Sequence, residues 1–276
     1  MLKIDAHQHF WIFDPVRDSW INDEMLVIKR DFLPADLLPV LQQYGIDGCV
    51  AVQASQSEEE TNFLLNLATE NPEVKGVVGW VDLKANDLDK RLQHYKQYDK
   101  LKGFRHILQS EPDKQYMLQS QFQKGIASLQ KHGYTYDILI YPEHLPYAVQ
   151  LAGGFPDQQF VVDHLAKPHI KDQKMSDWQK DIQALAKHQN VHCKISGMLT
   201  EADWQAWKTE DFTSYLDVVF NAFGINRVMF GSDWPVCLLA GGYEGTMQVM
   251  NNYCAKLSAT EQALFWGDNA TGFYNL

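Results

Sequence analysis

The stretch that decides the fold is LKIDAHQHF, residues 2–10, in which a short apolar run ends in two histidines one residue apart. Successive side chains of a β-strand point to opposite faces, so His7 and His9 are expected on one face, with Asp5 deeper on the same face. The segment that follows, residues 10–33, is rich in Trp, Asp and Pro and is too long for a simple connection. A strand that ends in paired imidazoles and leads into a long loop predicts a functional site at this point.

Seven further apolar segments follow this strand, and helical sequence follows each of them. The first helical pattern begins at Pro34 and ends at Gly45, a residue type that commonly ends helices. A second begins after Ser57, and Glu60 three residues later completes a capping-box pattern. Strands that alternate with amphipathic helices predict parallel strands buried on both faces, and eight such units close a barrel. We therefore expect an α/β fold in which residues 1–276 form one domain, a single (β/α)8 TIM barrel.

The alternative architecture is an open, doubly wound sheet. Such a sheet is expected to carry a glycine-rich turn after its first strand, but the residues at that place are HQHF. The length of 276 residues is also common among barrels of this type. Both observations favour the barrel.

The composition excludes several classes of protein. With 45% hydrophobic and 12% aromatic residues, the chain can build a sizeable core. The net charge of −11, without a dense block of Lys and Arg, argues against nucleic acid and membranes as partners. The four cysteines are widely spaced, and the sequence has neither an export signal nor a run of about 18 apolar residues. We expect a cytoplasmic protein with reduced cysteines and a small-molecule partner. It is expected to be a monomer, or a homodimer through exposed apolar residues near the C-terminus.

Polar and aromatic residues collect where the predicted strands end, and this end of a barrel carries the active site. In chain order they are His7, His9, Gln53, Arg105, His106, Asp137, Asp163, His164, Lys194, Ser196, Asp233 and Trp234. Three imidazoles and one carboxylate form a donor set that suits Zn²⁺ or a similar ion, namely His7, His9, His164 and Asp233. The guanidinium of Arg105 suits a carboxylate or a polarised carbonyl, and an ion pair with a neighbouring Asp is the alternative. Asp5 is expected either to hold a histidine or to anchor the barrel floor.

Six segments carry a resemblance to a known family, and they follow one another over essentially the whole chain. They are IDAHQHFW (4–11), VAVQAS (50–55), KGFRHIL (102–108), VVDHLAKP (161–168), KISG (194–197) and FGSDWP (230–235). On these residues the chain resembles the amidohydrolase superfamily, in particular its amidohydrolase-2 branch, which includes fucono- and rhamnono-lactonases. The resemblance implies hydrolysis of a sugar lactone of the L-fucono-, L-rhamnono- or galactono-lactone type to the aldonic acid.

The resemblance also implies roles for individual residues. The implied metal-type positions are His7, His9, His164 and Asp233, with Asp233 also the general base. The implied substrate-facing residues are Gln53, His106, Trp234 and, in the loop that would cover the sugar, Trp11. The fourth and fifth strands lack the bridging Lys or Glu and the His of binuclear members. At most one divalent ion, such as zinc, is therefore implied, and hydrolysis without a metal is the alternative.

In the expected mechanism, Asp233 takes a proton from the water that attacks the lactone carbonyl. His164 with Arg105, or a metal held by the histidines, then stabilises the tetrahedral oxyanion. Metal-dependent decarboxylases resemble the same branch and share these positions, so decarboxylation of a carboxylated ring is the alternative reaction. A barrel that only binds a sugar acid is a third hypothesis, and the clustering of ionisable groups argues against it.

Overall fold

Eight parallel strands pair in their sequence order in the computed structural model, which describes residues 2–276. The strands are Ile4–Gln8 (β1), Gly48–Val52 (β2), Val74–Gly79 (β3), Leu101–His106 (β4), Thr135–Ile138 (β5), Phe160–Val162 (β6), Val191–Ile195 (β7) and Val228–Phe230 (β8). The α-helices are Pro34–Tyr44 (α1), Glu58–Glu70 (α2), Leu88–Tyr95 (α3), Ser120–His132 (α4), Leu145–Gly154 (α5), Ser176–Leu185 (α6), Glu210–Phe223 (α7), Gly242–Cys254 (α8), Ala259–Ala263 (α9) and Asn269–Tyr274 (α10). The predicted fold class, a (β/α)8 barrel, is confirmed.

The main apolar core lies between the strands and the surrounding helices, and a smaller cluster fills the barrel interior. The interior cluster consists of Ile4, Ala6, Val50, Val52, Val78, Val161 and Met229, with Ala270 and Tyr274 of α10. Three charged side chains also point into the barrel, one from each of β4, β5 and β7. They are Arg105, Asp137 and Lys194. The interior is thus apolar in one layer and charged in another.

The gap between β8 and β1 is closed by backbone hydrogen bonds of predicted site residues. The amide of Asp233 donates to the carbonyl of His7 over 2.8 Å, and the amide of His9 donates to the carbonyl of Trp234 over 2.7 Å. We call these two hydrogen bonds the β8–β1 seam. Because these hydrogen bonds hold the backbones of His7, His9 and Asp233, they fix the Cα positions from which the three side chains extend.

Asp5 supports this seam from outside the barrel, which corrects the expected alternation. The register of β1 against β2 shifts between Asp5 and Gln8, so Asp5 and His7 do not share a face. The Asp5 carboxylate accepts the amide of Ser232 at 2.8 Å, the amide of His7 at 3.2 Å and the hydroxyl of Tyr243 in α8 at 3.2 Å. Burial raises the pKa of Asp5 to about 6, against the effect of these hydrogen bonds. Asp5 therefore ties the first strand to the last and to α8.

Helix α2 begins as predicted, but its capping box is only half formed. The Ser57 hydroxyl accepts the amide of Glu60 at 3.1 Å. The Glu60 side chain turns away from Ser57 and accepts the amides of Ala54 and Ser55 instead. Glu60 thereby fixes the loop between β2 and α2, because it satisfies backbone donors that a loop otherwise leaves open.

The long segment 10–33 folds back on itself. Trp11 and Phe32 form an antiparallel bridge with hydrogen bonds of 3.0 and 2.9 Å, and a 3₁₀ turn spans Asp23–Ile28. Most of the exposed large apolar side chains among residues 2–276 lie here, and they are Ile12, Val16, Trp20, Leu26 and Val27. The expectation of exposed apolar residues near the C-terminus is wrong, since Phe265, Trp266 and Tyr274 are buried there.

The four cysteines are free and buried. Burial raises the pKa of the Cys49 and Cys193 thiols, so both stay protonated and unreactive at neutral pH. None of the helices within residues 2–276 has the length and apolar character needed to cross a bilayer.

Candidate active site

The structure brings together the four residues predicted to form a metal-type cluster. The Nε2 atoms of His7 and His9 are 3.3 Å apart, and His9 Nε2 lies 3.4 Å from Asp233 Oδ1. The Nε2 atoms of His7 and His164 each lie 3.9 Å from the same oxygen. All four residues are at most 5% exposed. The four side chains thus converge on one point at the end of the barrel.

The protonation of His9 follows from its neighbours. Its Nδ1 lies 2.7 Å from the carbonyl oxygen of Val52, and a carbonyl can only accept, so Nδ1 carries the proton. In the neutral ring Nε2 then carries a lone pair, which faces His7 Nε2 and Asp233 Oδ1. Acceptor atoms this close repel one another, and a proton shared between them or a bound cation would remove that repulsion.

The donor set fits a divalent cation. His7, His164 and Asp233 each offer an atom within 4.8 Å of the others, and His9 adds a fourth donor beside them. Imidazole nitrogens with one carboxylate oxygen suit Zn²⁺ and similar borderline ions. The residues present could therefore hold one such ion.

Burial sets the charge state of the cluster. It lowers the pKa of His7 and of His164 well below the ordinary value, so both rings are neutral at neutral pH. For Asp233 burial acts in the opposite direction and raises the pKa, but attraction to His164 and His9 when those rings are protonated, and to the Lys167 ammonium, outweighs it, so the pKa is lowered. An ionised carboxylate surrounded by neutral imidazoles can accept a proton from a water molecule.

Beneath His7 lies a buried ion cluster formed by Arg105, Asp137, Asp163 and Lys194. Lys194 Nζ is 2.5 Å from Asp137 Oδ2 and 3.1 Å from Asp163 Oδ1, and Arg105 Nη1 donates to Asp163 Oδ2 at 3.0 Å. His7 Nδ1 lies 3.2 Å from both Asp163 Oδ1 and Lys194 Nζ. These contacts orient the His7 ring so that its Nε2 faces the site. The ion pair that was the alternative for Arg105 is therefore present.

The two carboxyl groups of the buried ion cluster respond differently to their surroundings. Burial raises the pKa of Asp137 to about 6, against the opposing charge of Lys194. For Asp163, burial is outweighed by Lys194, His7 and Arg105, which hold its pKa well below the ordinary value. The sequence marks Asp137, Asp163 and Lys194 as polar strand ends but assigns them no role. A charged residue at an inward position of an apolar strand is the signal that could have found Lys194.

His164 is presented by an unusual backbone. His164, Leu165, Ala166 and Lys167 all have positive φ, between 50° and 57°, and the Lys167 amide donates to the His164 carbonyl at 2.7 Å. We call these four residues the left-handed turn. Such a conformation costs about 1–2 kcal/mol per non-glycine residue, and it persists where the surrounding structure enforces it. Residues i and i+3 of a tight turn lie on the same side, and His164 and Lys167 both line the cavity described next.

An open cavity lies against the four-residue cluster. Its polar lining is formed by His9, Arg105, Gln109, Ser110, His164, Lys167 and Asp233. Its apolar lining is formed by Trp11, Trp20, Ala54, Ile107, Leu139 and Val236. A few convergent polar groups within an apolar wall are typical of a small-molecule site. Trp11, which is predicted to contact the substrate, lies on the wall, and so does Lys167, which the sequence does not single out.

Gln53 and Trp234 do not line the cavity. Gln53 is fully buried, and its side-chain nitrogen donates to the carbonyl of Arg105 at 3.0 Å. Trp234 packs edge-on against Phe32, with 5.2 Å between ring centroids. Contrary to the expectation that they face the substrate, the structure gives both residues supporting positions behind the cavity wall.

His106 is also placed away from the lining. Its Nδ1 accepts the indole N–H of Trp80 at 3.3 Å, and its Nε2 lies 2.6 Å from Glu111 Oε1. Because an indole N–H can only donate, Nδ1 is unprotonated and Nε2 donates to Glu111. Both ring nitrogens are thus engaged, and His106 has none free for the predicted substrate contact.

The chain matches proteins of one family along its whole length. The sequence model described as amidohydrolase matches residues 4–276. The L-fucono-1,5-lactonase of Burkholderia multivorans is 37% identical over 100% of this chain and 96% of that protein. An amidohydrolase from Burkholderia multivorans, whose crystal structure contains bound zinc, superposes with a TM-score of 0.96 at 37% identity over 100% of both chains.

A more distant structure shares the fold alone. The dihydroxybenzoic acid decarboxylase of Polaromonas, crystallised with manganese, has a TM-score of 0.70 at 13% identity and covers 100% of this chain and 97% of its own. The full-length match to the family and the 37% identity to a lactonase carry more weight than this resemblance of backbones. The chain belongs to the amidohydrolase family.

Proposed function

We propose that the protein hydrolyses a sugar lactone of the L-fucono-lactone type to the open-chain aldonic acid. The observation that carries the proposal is the ionised Asp233 among neutral imidazoles at a cavity with a mixed polar and apolar wall. A sugar lactone has hydroxyl groups along its rim and apolar C–H faces, which suit such a wall. The full-length similarity to an L-fucono-1,5-lactonase supports an ester of this class.

The proposed reaction uses Asp233 as the general base. A lactone is an ester, and its alkoxide leaving group is easier to expel than an amine, so an activated water and a charge stabiliser are the main requirements. Asp233 takes a proton from the attacking water, Arg105 stabilises the oxyanion, joined by His164 when that ring holds no ion, and Asp233 returns the proton to the ring oxygen. Arg105 lines the cavity, and its Nη1 lies 3.3 Å from His7 Nε2, so its positive charge is close to the place where the oxyanion would form.

We also propose that the site holds one divalent ion, with zinc as the ion that the donors suit best. His7, His9, His164 and Asp233 would hold it. When bound, such an ion polarises carbonyl groups and makes water more acidic. The zinc in the Burkholderia multivorans structure supports this choice.

The test is proton release from a panel of fucono-, rhamnono- and galactono-lactones, measured with protein as purified and after chelation. Acid release without CO₂ is expected on one stereochemical series. Chelation is expected to reduce the rate and lower the melting temperature by several degrees, because an ion that binds only the folded state stabilises it. Added zinc should restore both. Failure to release acid from any lactone would contradict the proposed reaction, and unchanged rate and melting temperature after complete metal removal would contradict the ion.

Gly197 leaves the space that His164 needs. It has φ of +62°, and a Cβ there would lie 2.6 Å from His164 Nδ1 and 3.2 Å from Asp233 Oδ2. We expect Gly197→Ala to lower kcat about 10- to 100-fold by displacing the imidazole. The same change should lower the free energy of unfolding by about 1 kcal/mol, because the left-handed backbone disfavours a side chain.

Gly133→Ala is the matched control for backbone strain. Gly133 also has positive φ, of +68°, but a Cβ there would meet only Lys96 Nζ, at 4.0 Å. This variant should show a similar loss in denaturant-monitored stability with unchanged kcat. Equal kcat values for the two variants would refute the role given to Gly197.

A further inference from the structure

Two cations line the cavity, Arg105 and Lys167, and they differ in how far their charge is already neutralised. Arg105 is 3% exposed, donates to Asp163 Oδ2 at 3.0 Å through Nη1 and to the carbonyl of Gln53 through Nη2. Its charge is therefore largely compensated within the protein, by Asp163, before any ligand arrives.

Lys167 has a weaker partner. Its Nζ lies 3.6 Å from Glu201 Oε1, longer than a hydrogen bond, and 20% of its side chain is exposed. The ring of Tyr141 is farther still, with 5.7 Å from Nζ to the ring centroid. A partly exposed ion pair of this length contributes little energy, so the ammonium can exchange Glu201 for a ligand oxygen.

The backbone places this ammonium beside the reacting groups. Lys167 is the last residue of the left-handed turn and His164 is the first, so the two side chains leave the turn on the same side. Both line the cavity together with Asp233. The strained backbone of the left-handed turn thus has a function, because it directs the side chains of both its end residues into the cavity.

The chemistry of lactone opening supplies a reason for a cation here. The water oxygen adds to the carbonyl carbon, the bond to the ring oxygen breaks, and the ring oxygen takes up a proton. The resulting acid loses its own proton and becomes a carboxylate, so a neutral substrate gives an anionic product. This anion forms next to the carboxylate of Asp233, in a protein of net charge −11. Like charges in one buried site repel strongly unless a cation lies beside them.

We propose that Lys167 binds the carboxylate of the opened sugar acid. Its ammonium would favour the anionic product, and the transition state that leads to it, over the neutral lactone. The proposal rests on the proposed lactone hydrolysis for its substrate class. It gives Lys167 a binding role separate from the base Asp233.

The test compares charged and neutral ligands of the same shape by titration calorimetry. The ligands are sodium L-fuconate, L-rhamnonate and L-galactonate, and the control ligands are the corresponding alditols. The wild type is expected to bind its best aldonate more tightly than the matching alditol. Lys167→Met should raise the Kd of that aldonate about tenfold or more, because a charge-assisted contact is lost, and should change the Kd of the alditol less than twofold. Lys167→Arg should keep most of the preference.

Lys171→Met is the matched control, since Lys171 lies four residues along, is 64% exposed and pairs with Asp203 at 3.2 Å. It should leave both affinities unchanged. Glu201→Gln gives an independent test that leaves Lys167 in place. Removing the competing carboxylate should lower the Kd of the aldonate two- to threefold.

Three results would overturn the proposal. They are a wild type without preference for the aldonate over the alditol, an aldonate Kd that Lys167→Met changes less than twofold, and a Glu201→Gln variant that binds the aldonate more weakly. A structural role for Lys167 would weaken binding of aldonate and alditol equally. Acid release by the wild type tests the proposed hydrolysis, whereas the binding measurements test the role of Lys167. Failure of the hydrolysis proposal can therefore be distinguished from failure of the Lys167 proposal.

Discussion

Asp233→Asn is expected to reduce the hydrolysis of lactones at least about 10³-fold in kcat while the protein stays folded. The amide has the shape of the carboxylate but cannot take a proton from water, which removes the general base from the site. The backbone at Asp233 has φ of +58°, and asparagine is among the side chains that tolerate this conformation best. The change therefore alters the chemistry with little change in the backbone. The measurements are kcat by proton release and the melting temperature.

The pH dependence sharpens this test. Because burial, which raises the pKa of Asp233, is outweighed by attraction to neighbouring cationic groups and the pKa is lowered, the wild type is expected to carry the carboxylate throughout the neutral range. The loss in the variant should consequently be the same at every pH from about 6 to 9. Asp172→Asn, which changes an exposed carboxylate in the loop after β6, should keep full activity. More than about a tenth of wild-type activity in Asp233→Asn would show that another group is the base.

Lys194→Met is expected to have the largest effect on stability, a loss of about 3–5 kcal/mol in the free energy of unfolding. The Lys194 ammonium is fully buried against Asp137 and Asp163, at 2.5 and 3.1 Å. Its removal leaves two buried carboxyl groups, and the remaining cation of the cluster, Arg105, pairs with Asp163. The free energy of unfolding is measured by urea denaturation. Lys131→Met removes a cation from an exposed pair with Asp89, at 3.0 Å, and should change stability by less than about 1 kcal/mol.

The sign of the pH effect follows from the missing charge. Without Lys194, the folded-state pKa of Asp137 rises further above its unfolded value of about 3.9, because burial is then opposed only by the hydrogen bond from the Tyr274 hydroxyl. A carboxyl group with a raised folded pKa loses stability as pH rises from the unfolded to the folded pKa. The destabilisation should thus be smallest near pH 4 and largest at neutral pH. Adding Asp137→Asn should recover part of it, and an equal loss at pH 4.5 and 7.5 would refute this explanation.

The sequence predicts the barrel and the convergence of the site because both follow from local patterns. Each strand is a short apolar run, each helix has its own periodicity, and side chains at the ends of parallel strands must meet at one end of the barrel. His7, His9, His164 and Asp233 could be chosen for this reason. Their donor types then indicate the chemistry.

Other features depend on contacts that no local pattern encodes. In the left-handed turn only His164 is of a residue type enriched at positive φ, so tertiary contacts must impose this conformation on the three residues that follow it. His106 stands at a strand end like the clustered histidines, but Trp80 and Glu111 hydrogen-bond to it from other parts of the chain. The shift of register in β1 moves Asp5 to the outer face, where Tyr243 meets it. In each case, contacts with residues distant in sequence determine the conformation or position of the side chain.

The β8–β1 seam also bears on the kinetics of folding. The seam joins residues from opposite ends of the chain, and Asp5 and Ser232, which support it, are separated by 227 in sequence number. Loop-closure entropy rises with the length of chain that is closed, so pairing β8 with β1 in an unfolded chain costs more than pairing two strands that are neighbours in sequence. Any intermediate that has formed its helices and most of its strands but not this last pairing holds His7 and His9 apart from Asp233. If these residues carry the proposed reaction, activity is expected only from the closed barrel, and its return during refolding would report when the sheet closes.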